Sequence, residues 1–285
     1  MSVCVKAPAK INLVLDVVGR RDDGYHVLKT VFQTVDWYDR ITVDFADEME
    51  FSCGGNAPQD ATNTAYRAAL AFAEYTGQKA AYRIVVEKNI PAQAGLAGGS
   101  ADAASTLVAL NELTAAGLTR EELLMLAGKI GADVPFCVMG GTAFATGTGD
   151  VLTPLPKFDH GCLVIVKPSG GVSTPEAYRL VDSKEALYHP SADAFCEALA
   201  CGDVRGMAAA VGNTFEDALA LPDCLKARDL LLQNGAIAAC MSGSGTAVFG
   251  WFMDREAAQA CAADLQPLYA QTRVCVPCDG VQVIK

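Results

Sequence analysis

The sequence has no run of apolar residues approaching the roughly 20 needed to cross a bilayer as a helix, although 51% of its 285 residues are hydrophobic. Its apolar residues are broken up by polar ones everywhere, which suits a folded core. The opening MSVCVKAPAKINLVLDV alternates as a strand does and holds no continuous apolar segment or cleavage site. No secretory leader is expected there, and the expected location is the cytoplasm. Basic residues are few: 22 Lys and Arg stand against 33 Asp and Glu, a formal charge of −11. Such a surface repels phosphate backbones, so neither nucleic acid nor a membrane is an expected partner. Histidine is scarcer still, and His26, His160 and His189 suggest no metal cluster. Cysteine is plentiful, but its count of 11 is odd, and the lone Cys-x-x-Cys at Cys275 and Cys278 has no second pair. Buried thiols in a reducing compartment fit better than a disulfide framework or a zinc site.

Two common phosphate-binding signatures are missing as well. Gly128-Lys129 is followed by Ile130 and lacks the upstream glycine of G-x-x-x-x-G-K-[ST], and no G-x-G-x-x-G occurs. What is present is PAQAGLAGGSADAASTLVALNEL, where small residues abut a helical run through Leu107, Leu110 and Leu113. Glycine lets a ligand approach the main chain, and a helix start offers unpaired N–H groups with partial positive charge. Together they make an anion site, most naturally for phosphate. A tight turn that merely packs well is the alternative.

Around this turn the chain divides. The strand-like stretches CVKAPAKINLVLDVVG, YHVLKTVFQTVD, DRITVDFA, MEFSC and AYRIVVEKN are rich in Val, Ile, Thr and aromatics. They are interrupted by the helical NTAYRAALAFAEYTG, and a further helix opens at Thr119, where Glu122 completes a capping box. Residues 140–156 read as loop, and the boundary is placed there, giving parts 1–155 and 156–285. The second part orders as β–α–β–β–α–β, which predicts an antiparallel sheet with helices on one face and an α+β class.

PAKINL (Pro8 to Leu13), PAQAGLAGGSADAA (Pro91 to Ala104) and MSGSGTAVFG (Met241 to Gly250) occur in that order. With these three motifs the sequence resembles the GHMP kinase family over almost the whole chain. The resemblance implies an N-terminal ribosomal-S5-domain-2-like domain, a C-terminal ferredoxin-like domain and ATP, with Mg²⁺, in the cleft between them. GRRDDGYHVLKTVFQ and GADVPFCVMGGTAFATGTGD resemble the branch that phosphorylates diphosphocytidyl-methylerythritol, and imply that small molecule as substrate. Homoserine and mevalonate kinases of the same family lack the DGYH element. A non-catalytic nucleotide-binding protein on this fold is the remaining alternative.

By resemblance, Asp133 is the catalytic base and Lys10 its cationic partner, keeping the carboxylate ionised and stabilising the transferring group. The nucleotide is expected on Pro91, Ala92, Gln93, Ala94, Gly95, Leu96, Ala97, Gly98, Gly99, Ser100, Ala101 and Asp102, with Asn63 and Lys88 nearby. Asn12 shares a strand face with Lys10 and is expected in the substrate pocket. Tyr25, His26, Thr174 and Tyr178 are expected around the cytosine, the two tyrosines on its faces and His26 at its edge. Ala97 is expected at negative φ, where its methyl fits, and Gly98 at positive φ. Pro135 is expected to keep the chain from continuing helical after Ile130.

Overall fold

The computed structural model describes residues 2–284. Two long strands begin it, β1 (Val3–Arg20) and β2 (His26–Phe45), paired antiparallel along almost their whole length. The register shifts at Pro8/Ala9 and again at Asn12/Val14. Proline has no N–H for the ladder and is tolerated at such an irregularity, while each shift re-aims the side chains beyond it. Next come β3 (Glu50–Cys53), α1 (Thr64–Thr76), β4 (Tyr82–Glu87), α2 (Gly98–Thr114) and α3 (Arg120–Gly128). The capping box at Thr119 is present, its hydroxyl accepting from the Glu122 N–H and its own N–H donating to the Glu122 carboxylate. A short helix α4 (Val134–Met139) and a hairpin of β5 (Thr142–Thr146) and β6 (Val151–Pro154) follow.

Three expectations are corrected here. Residues 26–45 form one strand instead of two, because Trp37, Tyr38 and Asp39 stay paired or buried through the expected break. Residues 140–156 are not all loop, since β5 pairs with β2 through alternating Thr142 to Thr146. Pro135 does not end helical structure: it lies in the first turn of α4, where a missing N–H costs nothing.

The second half contains β7 (Cys162–Val166), α5 (Thr174–Asp182), α6 (Ala192–Cys201), α7 (Val204–Ala210), β8 (Gly212–Asn213) and α8 (Thr214–Leu219). It continues through α9 (Pro222–Gln233), β9 (Ala238–Met241), β10 (Val248–Phe252), α10 (Arg255–Leu265), β11 (Thr272–Cys275) and β12 (Gln282–Ile284). Four of these strands form an antiparallel sheet in the order β11-β7-β10-β9, the arrangement of a ferredoxin-like unit. The first sheet runs β12-β1-β2-β4-β3, with β5 and β6 beyond β2 and with β8 beside β1.

Core packing links the halves. The helices α1, α2 and α3 bury their Ala and Leu side chains against β1, β2 and β4. Helix α2 is small and apolar on nearly every side, so it lies inside the molecule. In the second sheet, Leu163, Ile165, Phe249 and Trp251 pack against Ile11, Leu13, Val31 and Val35 of the first. The other face of that sheet is covered by α9 and α10 through Leu231, Ala227, Ala258 and Cys261. Among the described residues no helix is long and apolar enough to cross a membrane.

Backbone also joins the two halves. The Ala247 N–H donates to the Ala94 carbonyl at 3.0 Å, and the Ser242 hydroxyl donates to the Gly95 carbonyl at 3.0 Å. Gly95 has φ +73°, and a Cβ there would lie 1.9 Å from the Ser242 carbonyl oxygen. Only glycine meets both demands. Gly95→Ala is expected to lower stability by about 3 kcal/mol or more, from overlap plus a left-handed backbone. A urea-denaturation midpoint unchanged from wild type would contradict that close approach.

Candidate functional site

The three glycine- and proline-containing motifs converge on one cleft of about 1620 Å³. Motif PAKINL supplies the middle of β1. The Lys10 N–H donates to the Leu96 carbonyl at 3.1 Å, and the Asn12 N–H to the Ser242 hydroxyl at 3.2 Å. With the bonds from Ala247 and Ser242 described above, three successive carbonyls of the glycine turn (Ala94, Gly95 and Leu96) are taken up inside the protein. The turn is thereby fixed between the other two motifs and leads directly into α2.

Lys10 is buried and anchored on every side. Its Nζ donates to Asn12 Oδ1 at 2.8 Å and lies 5.0 Å from the Phe32 ring centroid. Asn12 Nδ2 donates to the Thr30 hydroxyl at 2.8 Å, which donates on to the Val14 carbonyl at 2.6 Å. That chain sets which way the Asn12 amide faces, so its oxygen meets the ammonium. Lys10 Nζ also stands 3.6 Å from Asp133 Oδ2. Asp133 occupies the N-cap position of α4, where aspartate ordinarily accepts from the helix N–H groups. Here its side chain makes no capping bond. The carboxylate is turned to Lys10 and stays 35% exposed, open to a ligand in the cleft.

The glycine turn departs from expectation at two residues. Ala97 has φ +54°, in the left-handed region, not the negative φ that its methyl would prefer. Gly98 begins α2 and does not have positive φ; its constraint is space, because a Cβ there would lie 3.3 Å from Lys88 Nζ and 3.2 Å from Ile90. Helix α2 carries no acidic residue in its first turn and no side-chain cap. The N–H groups of Gly98, Gly99 and Ser100 precede its first i→i−4 bond, from Ala101 to Ala97.

Lys88 and Asp102 sit directly behind this helix start. Lys88 Nζ donates to Asp102 Oδ2 at 2.5 Å and also to Asp39. Asp39, on β2, accepts in addition from the Ile90 N–H at 2.8 Å and from the Asn89 N–H. Asn63 caps α1, accepting from the Ala65 N–H and donating to the Pro58 carbonyl, so its amide is spent on the protein while its surface lines the cleft.

At the far end of the cleft, the His26 ring stacks on Tyr178 with centroids 4.3 Å apart and planes at 15°. His26 Nε2 lies 2.6 Å from Asp182 Oδ1, and Arg20 pairs with the same carboxylate at 3.3 Å. Tyr178 meets Phe215 edge-on at 4.9 Å, and burial pushes its phenol up to about 12. Tyr25 is 66% exposed, and Thr174 lies 3.2 Å from the Ser244 hydroxyl. The Tyr178 face expected to receive a base is thus covered by His26.

Lys10, Asn12, Tyr25, His26, Asn63, Lys88, residues 91–100, Asp102, Asp133, Thr174 and Tyr178 all border the cleft. Ala101 does not, being fully buried in the core. Sequence reasoning gave no role to Thr30, Phe32 or Asp39 on β2: the first two lie inside the quoted GRRDDGYHVLKTVFQ but were not singled out, and Asp39 lies beyond it. Lys10, Arg20, Lys88 and Arg179, the Lys and Arg residues lining the cleft, are each already paired with a carboxylate. An anion entering the cleft therefore meets backbone N–H groups and paired cations rather than free ones.

The family model described as GHMP kinases N terminal domain matches residues 63–141, and that described as GHMP kinases C terminal matches residues 191–270. The chain is similar to a 4-diphosphocytidyl-2-C-methyl-D-erythritol kinase of Clostridium tetani (strain Massachusetts / E88), 40% identical over 277 residues, covering 95% of this chain and 98% of the relative. The kinase of the same name from Desulfitobacterium hafniense (strain Y51) is 46% identical over 262 residues, covering 90% and 89%. A crystal structure of a 4-(cytidine 5'-diphospho)-2C-methyl-D-erythritol kinase superposes with TM-score 0.83 at 35% identity, covering 98% and 100% of the two chains. A homoserine kinase from Cytophaga hutchinsonii ATCC 33406 shares the fold, with TM-score 0.81 at 22% identity over 99% and 97%.

The left-handed Ala97 gives a test of the turn. Ala97→Gly is expected to stabilise the protein by up to about 1 kcal/mol, relief of the αL penalty exceeding the entropy of the added glycine. A melting temperature lowered by this substitution would contradict the backbone geometry of the turn.

Proposed function

The chain belongs to the GHMP kinase family, and on that footing we propose that it transfers the γ-phosphoryl group of ATP to the 2-hydroxyl of 4-diphosphocytidyl-2-C-methyl-D-erythritol, a step of non-mevalonate isoprenoid synthesis. The observation that carries the reading is the Lys10–Asp133 pair, 3.6 Å apart and beside the start of α2. Asp133 is a carboxylate withheld from capping its own helix, and its cleft-facing exposure suits a proton acceptor. Lys10, fixed by Asn12 and Phe32, keeps that carboxylate ionised and meets the charge that develops on the transferring group. The residues do the positioning: Gly98, Gly99 and Ser100 present N–H groups to phosphate, and the turn from Pro91 to Asp102 shapes the nucleotide's side of the cleft.

The cleft suits an anionic nucleotide because Gly98, Gly99 and Ser100 line it at the start of α2 and no acidic residue stands in that helix's first turn. Mg²⁺ enters with ATP and offsets triphosphate charge. Among the described residues no group of three or more His, Cys, Asp or Glu is placed to hold an ion. Phosphate oxygens and water would supply most of its ligands. In this reading residues 1–155 carry the turn and both catalytic residues, and residues 156–285 close the cleft. The protein works in the cytoplasm on small molecules, and its charge of −11 disfavours nucleic acid or an anionic membrane as partner.

The cytosine end is assigned to Tyr25, His26, Thr174 and Tyr178. Because His26 already lies on Tyr178, the base either stacks on that pair or takes the place of the His26 ring.

Turnover with Mg·ATP and the diphosphocytidyl alcohol is expected, and no phosphorylation of homoserine or mevalonate. Asp133→Asn is expected to lower kcat about 10²- to 10⁴-fold with the circular dichroism spectrum unchanged. Adding Lys10→Met is expected to cost far less than the product of the single losses, since both groups serve one step. Wild-type turnover in Asp133→Asn would remove the base assignment.

Tyr178→Ala is expected to raise KM for the diphosphocytidyl substrate about 5- to 150-fold, the worth of one stacking partner, while KM for ATP holds. Equal weakening of both substrates would place the cytosine elsewhere.

A further inference from the structure

Two carboxylates and one ammonium are sealed beneath the helix start that faces the nucleotide. Asp39 and Asp102 both accept from Lys88 Nζ, and neither carboxylate reaches solvent appreciably. Asp39 is fully served, by Lys88 and by the N–H groups of Asn89 and Ile90. Asp102 is not: its Oδ1 is buried and has no hydrogen-bond partner, and one turn on, the buried Ser105 hydroxyl has none either. The cluster thus holds one negative charge in excess when both acids are ionised. It lies against the anion site itself, because the Cβ position of Gly98 is only 3.3 Å from Lys88 Nζ. A net negative group there opposes a polyphosphate through little intervening water, where charges interact strongly.

The remaining groups around Asp102 do not relieve that charge. On β1 and at the start of α4, Lys10 and Asp133 are committed to each other. Cys53 on β3 and Cys137 on α4 feel the charge of Asp102, and burial first, then carboxylates, push both thiols up, so they remain neutral near pH 7. From α1, Thr64 donates to the Gly99 carbonyl and carries no charge. Resting on the nucleotide reading above, we propose that Asp102 takes up a proton when the nucleotide binds, so that the phosphate cradle becomes neutral beneath as it fills above. The neutral acid keeps one oxygen for Lys88 and gains an O–H donor within a cluster that has acceptors to spare. The free protein is poised for this: burial foremost, and then the charge of Asp39, raise the Asp102 carboxyl to about 7 against the pull of Lys88. A bound polyanion raises it further, and by linkage nucleotide affinity then falls as pH climbs through and above that value.

Calorimetric titration with Mg·ATP, without the alcohol, in buffers of different ionisation enthalpy counts the protons exchanged. Wild type at pH 7.5 is expected to take up between about half and three-quarters of a proton, and its affinity to fall by up to about tenfold per pH unit above pH 7. Asp102→Asn, which copies the neutral acid, is expected to take up none of these and to lose the pH dependence, while Asp133→Asn keeps both. Comparing variants cancels any protons exchanged by the phosphates. Nucleotide binding with no proton exchange in wild type, or unchanged exchange in Asp102→Asn, overturns the proposal and leaves the nucleotide site standing. No binding heat together with no nucleotide protection against thermal unfolding removes both. Should Asp102→Asn not fold, infrared difference spectra of wild type decide: a protonated-carboxyl band on nucleotide addition supports the proposal, and its absence overturns it.

Discussion

The site depends on one backbone contact, that of Gly95 against the Ser242 carbonyl. Two segments separated by 147 residues touch there so closely that Gly95 has no room for a side chain, while the Ser242 hydroxyl bonds its carbonyl. The contact fixes the turn ahead of α2 relative to the second sheet. The same turn then receives Lys10 through the Leu96 carbonyl. Together with the bonds of Asn12 to Ser242 and of Ala247 to Ala94, it gives β1, the helix start and the second half a common reference and the cleft between them a defined width. Small residues in the motifs are therefore a packing requirement first. Their chemical use, an exposed row of N–H groups, follows from the same smallness.

Electrostatics then divides the cleft into regions. The protein is acidic overall, yet it is read as holding a triphosphate and a diphosphate. It does so without free basic side chains, since those lining the cleft are each tied to a carboxylate. Tied cations are held in place and lose less freedom when a ligand arrives, which favours positioning over raw attraction. Lys10 is the clearest case, locked between Asn12, Phe32 and Asp133. The expense appears beneath α2, where Asp39 and Asp102 compete for Lys88.

Much of this was legible in the sequence. Periodicity and caps located α1, α2 and α3, and the β–α–β–β–α–β order gave the second sheet its topology. The residues picked out from the motifs and the resemblance border the cleft, Ala101 excepted, because it turns into the core. Local reasoning failed where tertiary pairing overrode it. The 26–45 strand passes through Asp39 and Arg40 because β1 pairs with both and β4 pairs with Arg40 on the other side. The β5–β6 hairpin looked like loop because its threonines, glycines and prolines also suit turns. Ala97 was read as fitting if its φ were negative, whereas it stands at φ +54°. Thr30 and Phe32 lie inside a quoted stretch but take their roles from partners on β1, and Asp39 acts only through partners distant in sequence. The stacking of His26 on Tyr178 joins residues 152 apart and was equally invisible.

The central claim is that Asp133 acts as a base for one direct transfer, with Lys10 steadying both it and the moving group. A carboxylate so placed is also in position to attack phosphorus itself, and the stereochemical course separates the two. Transfer of a chiral γ-thiophosphoryl group from the nucleotide to the diphosphocytidyl alcohol, with configuration at phosphorus read by phosphorus NMR, is the direct measurement. A single in-line displacement between substrates held in this cleft predicts inversion. Net retention would mean two displacements through a phosphorylated protein group, and would contradict the role given to Asp133.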